Sequence, residues 1–114
     1  MGNESTAADI RSAGGSAITY TVDLSDPAQV ATVGKRVREE VGVVDILFNN
    51  AGIVNGRTID QISAGAVGKV MAVNANAVMW TTNEFLPDML AREEGGEGRG
   101  LFRCLKLSWM RKRR

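Results

Sequence analysis

The sequence predicts an α/β fold in which parallel strands are flanked by helices. Three segments predict it: β-branched and aromatic residues at 16–22, an amphipathic stretch that begins at Pro27 and ends near Gly42, and a nearly all-apolar run at 43–49. A strand, a helix and a second strand in this order are typical of a βαβ crossover, which joins parallel strands by a right-handed connection. The apolar character of 43–49 also indicates a strand that is covered on both faces.

The helices carry start and stop signals of their own. Asp26 is placed to cap the helix between the two strands, and Pro27 suits its first position. A short helix is also predicted over residues 3–13, because its alanine-rich sequence ends at Gly14, a usual C-terminal stop.

A long helix is predicted from Ala64 to about Glu94, with Ser63 as its N-cap. Pro87 lies inside this segment and removes a backbone donor to the carbonyl near Asn83. We therefore expect a kink or a break at the proline.

Composition excludes several classes of function. The apolar fraction of 44% and the charged fraction of 24% are those of an ordinary globular chain. With no histidine and a single cysteine, Cys104, we expect no histidine-based catalytic triad, no zinc site and no internal disulfide. The sequence contains no run of 18 apolar residues, which is about the length needed to span a bilayer.

Polar residues occur where a ligand site is expected. In an open parallel sheet, ligands bind beyond the carboxyl ends of the strands, where Asp23 and the Asn49–Asn50 pair lie in the predicted order. The amides can hold a ribose hydroxyl or tie loops together, and the small residues Ala51 and Gly52 would let a ligand approach the backbone. The alternative is that the amides only close a turn between strand and loop.

Four short stretches, in their order and spacing, carry a family resemblance. They are VDLSD at 22–26, DILFNNAGIV at 45–54, VMAVNANA at 70–77 and WTTNEFLPDML at 80–90. The first three resemble the classical short-chain dehydrogenase/reductase family, and the fourth looks more specifically like its retinol and 17β-hydroxysteroid dehydrogenase branch. The resemblance covers about residues 3–95.

The resemblance implies a doubly wound, Rossmann-like fold that is incomplete in this chain. In the strand order 3-2-1-4-5-6, the segments at 16–22 and 43–49 would be the third and fourth strands, with two other strands between them. Unpaired strand edges are therefore expected. Residues 1–95 would form the partial domain, and residues 96–114 would be a glycine-rich and then basic tail outside the family pattern.

The resemblance also implies a cofactor, NAD or NADP, and a lipophilic secondary or allylic alcohol of retinoid or steroid type as substrate of the complete protein. Asn49 would brace the central sheet, and Asn74 would be the catalytic asparagine of the family's Asn-Ser-Tyr-Lys tetrad, although an exposed polar helix residue is the plainer interpretation. The residues that would bind the cofactor are Asp23, Leu24, Asn50, Ala51 and Gly52. The same branch suggests an endoplasmic reticulum or lipid-droplet membrane as the location of a complete protein.

Other parts of the family pattern are not found in this sequence. The glycine-rich turn that binds pyrophosphate would lie before residue 1, and no G-x-G-x-x-G occurs. The serine, tyrosine and lysine of the tetrad have no counterparts, because the single tyrosine is Tyr20 and Ser108 lies in the tail. We therefore expect the chain alone to be inactive.

The tail leaves two interpretations open. Residues 99–114 hold seven basic groups and no acid, whereas residues 1–98 have a net charge of −6 from 7 basic and 13 acidic groups. The tail could be translated intron, or a basic amphipathic element that binds an anionic membrane, with nucleic acid as a weaker candidate. The alternative function for the whole chain is a non-catalytic fragment that docks on an intact subunit or forms a homo-oligomer through the helix at 64–94.

Overall fold

The computed structural model describes residues 3–94 and 104–107. Five helical segments and two strands make up the described fold. In chain order they are α1 (Asn3–Ser12), α2 (Pro27–Glu40), β1 (Ile46–Asn49), α3 (Ala64–Met71), a π-helical segment (Ala72–Asn76), α4 (Ala77–Glu94) and β2 (Cys104–Leu107).

The helix boundaries confirm the local sequence signals. Asp26 caps α2, where its Oδ1 accepts hydrogen bonds from the backbone N–H groups of Ala28 at 2.9 Å and Gln29 at 3.4 Å. Ser63 caps α3 by accepting from the N–H of Ala66 at 3.2 Å. After α2 the chain turns at Gly42, whose φ of 105° lies in the left-handed region that glycine adopts without strain.

The prediction of a strand at 16–22 is wrong. Among residues 3–94 and 104–107 this segment has no ladder partner and is not a strand, so the predicted βαβ crossover over 16–49 is not formed there. A strand needs a neighbour for its backbone groups, and β-branched residues alone do not supply one. Side chains hold the segment instead: the Arg11 guanidinium donates to the carbonyl oxygen of Ala17 at 2.8 and 3.1 Å.

The second predicted strand is confirmed over its last four residues, as β1. It pairs with β2 in a two-stranded parallel sheet, in which Leu47 lies opposite Leu105. A parallel pair needs a long crossover connection, and here α3, the π-helical segment and α4 lie between the two strands in sequence. Part of the basic tail thus contributes a strand, while its other residues, 96–103 and 108–114, lie outside the described ones.

Of the kink or break expected at Pro87, the break does not occur, and the kink stays a prediction. Helix α4 continues through the proline to Glu94, so the loss of one backbone donor is tolerated there. The irregularity lies earlier, at Ala72–Asn76, where the backbone forms a π-helical segment. Such segments insert one residue into a helix and often occur at functional sites.

A small apolar core joins the helices to the sheet. Val37 of α2, Val44 before β1 and Phe85 of α4 are buried together, and the side chains packed against them include Tyr20 and Leu105. Ion pairs surround this core.

Arg38 of α2 pairs with Glu84 and, at 3.6 Å, with Asp88 of α4. Arg92 pairs with Asp45 at 2.8 Å and ties the end of α4 to the residue before β1.

Many apolar side chains lie outside this core. Among the described residues, seven apolar side chains are buried, whereas twelve large ones are exposed, including Phe48 of β1 at 52%. Natural sheets usually cover such faces, so the described fold is consistent with the expected incomplete Rossmann-like arrangement. No helix in the described ranges is long and apolar enough to cross a bilayer.

Candidate functional site

The end of β1 forms one wall of a small pocket. Asn49 and Ala51 line it on the strand side, and Leu24 lines it from the loop before α2. Side chains of the π-helical segment and α4 complete the lining: Val73, Ala77 and Val78. The structure thus brings together Leu24 and Ala51, two predicted cofactor residues that are far apart in sequence.

Asn74 fixes the loop that follows β1. Its Nδ2 donates to the carbonyl oxygen of Ile53 at 2.8 Å, and its Oδ1 accepts from the N–H of Ile53 at 2.7 Å. A side-chain amide that satisfies both backbone groups of one residue acts as a substitute strand partner. The predicted catalytic asparagine therefore holds the backbone next to Gly52, and a Cβ on Gly52 would lie 3.6 Å from its Oδ1, an ordinary contact.

Asn50 has a more exposed position. It directly follows β1, and its N–H donates to the carbonyl oxygen of Phe48 at 3.1 Å, which turns the chain out of the strand. Its side chain is exposed and therefore accessible to a ligand.

Asp23 ends the extended segment before α2, and its carboxylate is held by several donors. Oδ1 accepts from the N–H of Ser25 at 2.9 Å and from its hydroxyl at 2.6 Å. The ammonium group of Lys69 lies 3.2 Å from Oδ1 and 3.3 Å from Oδ2. The Ser25 hydrogen bonds and then the Lys69 charge lower the pKa of Asp23, so the carboxylate is ionised at neutral pH.

Tyr20, the single tyrosine, does not line the pocket. Its hydroxyl donates to Glu40 Oε2 at 2.9 Å, and the Arg36 guanidinium lies 5.1 Å from its ring centre. Burial, and then the hydrogen bond to Glu40, raise the pKa of Tyr20. A tyrosine with a raised pKa stays protonated at neutral pH and is a poor proton donor there.

The structure adds two residues that the sequence did not single out for the site. Thr81 of α4 is 1% exposed, and its hydroxyl lies 2.8 Å from Asn49 Oδ1 and 2.8 Å from the carbonyl oxygen of Ala77. Lys69 of α3 reaches Asp23 across the surface. Both contacts join residues more than 30 positions apart, so no local spacing could have indicated them.

We expect Thr81→Val to lower the free energy of unfolding by about 1–2 kcal/mol, because it removes a buried hydroxyl that bonds to the amide oxygen of Asn49 while keeping the side-chain shape. Chemical denaturation of the purified chain measures this loss. Thr32→Val is the matched control, since the Thr32 hydroxyl bonds to the carbonyl four residues earlier but is exposed. Equal losses in the two variants would contradict a role for Thr81 in holding β1.

Comparison with known proteins places these features in a family. A family model described as short chain dehydrogenase matches residues 2–98. Retinol dehydrogenase 10-A of Danio rerio is 40% identical over 77 residues, which are 68% of this chain and 23% of that protein. Estradiol 17-beta-dehydrogenase 11 of Mus musculus is 39% identical over 94 residues, 82% of this chain and 32% of that protein.

Solved structures agree with the sequence comparison. A metagenomic short-chain oxidoreductase in complex with NADP has a TM-score of 0.74 and 28% identity, over 79% of this chain and 41% of that one. A short chain dehydrogenase from Burkholderia cenocepacia J2315, also in complex with NADP, has a TM-score of 0.68 and 31% identity, over 74% of this chain and 34% of that one.

The predicted α/β, incomplete Rossmann-like fold is thereby confirmed, as is the resemblance to the retinol and hydroxysteroid branch. The chain spans about a quarter to a third of the length of these curated relatives. It belongs to the short-chain dehydrogenase family.

Proposed function

We propose that this chain forms the adenosine-side wall of the nucleotide site of an NAD(P)-dependent oxidoreductase, and that the whole protein acts on a secondary or allylic alcohol of retinoid or steroid type. The observation that carries the proposal is the pocket at the end of β1, which Leu24 and Ala51 both line. The substrate class rests on the names of the relatives, which include retinol and estradiol dehydrogenases.

The residues of the pocket suit an adenine ring. Its lining is mostly apolar, with Leu24, Ala51 and Val73 among the contributing side chains, and such a lining offers an apolar contact to the edge or face of a flat ring. Asp23, the residue before Leu24, supplies an ionised acceptor for an exocyclic amino group. Asn50, directly after β1, can bind a ribose hydroxyl through its exposed amide.

Asn74 has a positioning role in this proposal. Its two hydrogen bonds to Ile53 keep the loop after β1 open beside the pocket, so that the backbone at Gly52 can approach the cofactor. When bound, the nicotinamide would supply the hydride chemistry. The remaining tetrad functions would come from residues that have no counterpart here, and we expect no alcohol oxidation by the chain alone.

Nucleotide binding by the purified 114-residue chain tests the proposal. We expect AMP to bind weakly, with a dissociation constant of roughly 1 mM, because only part of a dinucleotide site is present. Amide NMR shifts should change at Leu24, Ala51 and Val73.

A matched pair of substitutions makes this experiment specific. Ala51→Leu should fill the pocket and abolish the shift changes, whereas Ala31→Leu, on the exposed side of α2, should leave them intact. Shift changes that survive Ala51→Leu, or none at several millimolar AMP, would contradict the assignment of the pocket.

A second candidate function is docking on an intact homologous subunit. Met79, Leu86 and Leu90 lie on one side of α4 by helical spacing and are 70%, 40% and 50% exposed. Such an apolar stripe is typical of a helix that packs against a partner. Co-purification with a full-length homologue should succeed for the natural chain and fail for Met79→Lys with Leu90→Lys; equal recovery of both would contradict this candidate.

A further inference from the structure

Lys69 connects two parts of the chain that are 46 residues apart. It lies in α3, and its ammonium group contacts both carboxylate oxygens of Asp23 and the hydroxyl of Ser25. These contacts tie the loop before α2 to α3, on the side of the pocket where Leu24 lies. The proposed function gives Lys69 no role.

The two oxygens of Asp23 are used unequally. Oδ1 accepts from the N–H of Ser25, from the Ser25 hydroxyl and from Lys69. Within residues 3–94 and 104–107, Oδ2 is contacted by Lys69 only, at 3.3 Å. Because each carboxylate oxygen has about two acceptor positions, Oδ2 keeps one for a ligand.

Lys69 is well placed to set which way Oδ2 points. The Ser25 bonds hold Oδ1, and the ammonium group, which contacts both oxygens, further restricts rotation of the carboxylate. The side chains of Asp23 and Lys69 are 48% and 50% exposed, so the free position of Oδ2 is accessible from solvent. A half-exposed ion pair contributes little to stability, and orientation is the larger consequence.

We propose that Lys69 is a positioning residue that holds the Asp23 carboxylate so that its Oδ2 accepts the 6-amino group of an adenine nucleotide. This inference rests on the proposed function, since it takes Asp23 as the adenine-side acid. It adds a selectivity rule: purines with a 6-amino donor bind more tightly than purines without one.

The first arm of the experiment needs no ligand. Carboxyl NMR titration of the full chain measures the pKa of Asp23 in the natural sequence, in Lys69→Met and in Lys35→Met. Lys35 is the matched control, because it is 74% exposed and pairs only at 3.8 Å with Glu39 in the same helix. Removal of a neighbouring cation disfavours the carboxylate, so Lys69→Met should raise the pKa of Asp23 and Lys35→Met should not change it.

The second arm measures selectivity. The natural chain should bind AMP about tenfold more tightly than purine riboside 5′-phosphate, which lacks the 6-amino group, as expected for a hydrogen bond to a charged acceptor. In Lys69→Met this preference should fall about threefold, the size expected of a half-exposed ion pair, and in Lys35→Met it should persist.

The outcomes separate the two proposals. An unchanged Asp23 pKa in Lys69→Met, or an unchanged preference for AMP, would overturn the role of Lys69. Failure of the natural chain to bind either nucleotide would instead overturn the proposed function, and the titration would still decide whether Lys69 holds Asp23.

Discussion

Phe85→Ala is expected to remove most of the chain's free energy of unfolding at 25 °C. Phe85 is 4% exposed and belongs to the buried cluster with Val37 and Val44, which joins α2 and α4 to the strand region. Truncation of a buried phenylalanine costs about 3–5 kcal/mol, from lost burial and from the cavity that remains. Domains of ordinary size have only about 5–15 kcal/mol of stability in total, and seven buried apolar residues in the described part of the chain place it at the low end.

Circular dichroism and chemical denaturation measure this effect. Leu86→Ala is the control, because Leu86 is the next residue in α4 but is 40% exposed, and its truncation should cost less than about 1 kcal/mol. If Phe85→Ala kept the denaturation midpoint of the natural chain, the buried cluster would not be what holds the helices together.

Helices could be predicted from the sequence because their signals are local. Asp26, Pro27 and Ser63 act within one turn of the residues they cap, and the structure places each of them at a helix start. The helix does not break at Pro87, since Arg38 contacts the carbonyl oxygen of Glu84 before the proline and the carboxylate of Asp88 after it, and a single missing donor does not end a helix held in this way.

Strands could not be predicted as well, because a strand depends on a partner that lies elsewhere in the chain. Residues 16–22 have strong β propensity but have no neighbouring strand in the part of the chain that the structure describes, whereas Cys104–Leu107 pairs with β1. The sequence placed this second segment in a tail outside the domain. Apolar and basic residues alternate in this segment, but whether such a segment binds a membrane surface or forms a strand depends on what lies beside it.

The candidate site shows the same division. Asp23, Leu24 and Ala51 were indicated by short motifs, and the structure brings the latter two into one pocket. Lys69 contacts Asp23 across 46 residues of sequence, and Thr81 contacts Asn49 across 32. Such contacts follow from helix packing, which a single sequence does not specify in advance.

Leu105→Asp is expected to separate β2 from the sheet and to lower the free energy of unfolding by about 2–4 kcal/mol. Leu105 lies opposite Leu47 in the parallel pair and packs against the buried cluster, so a carboxylate there would be partly removed from water and would replace an apolar contact. The strand can avoid this cost only by leaving β1, which exposes backbone groups of both strands.

Amide hydrogen exchange of Leu47 and Phe48, together with chemical denaturation, reports the separation. Ile59→Asp is the matched control, because Ile59 is 91% exposed and the same charge there removes no packed side chain. If exchange and stability were the same in both variants, the tail would not belong to the fold, and the basic amphipathic interpretation would gain support. A loss confined to Leu105→Asp means instead that Leu105 is committed to the core and is not available to insert into a bilayer.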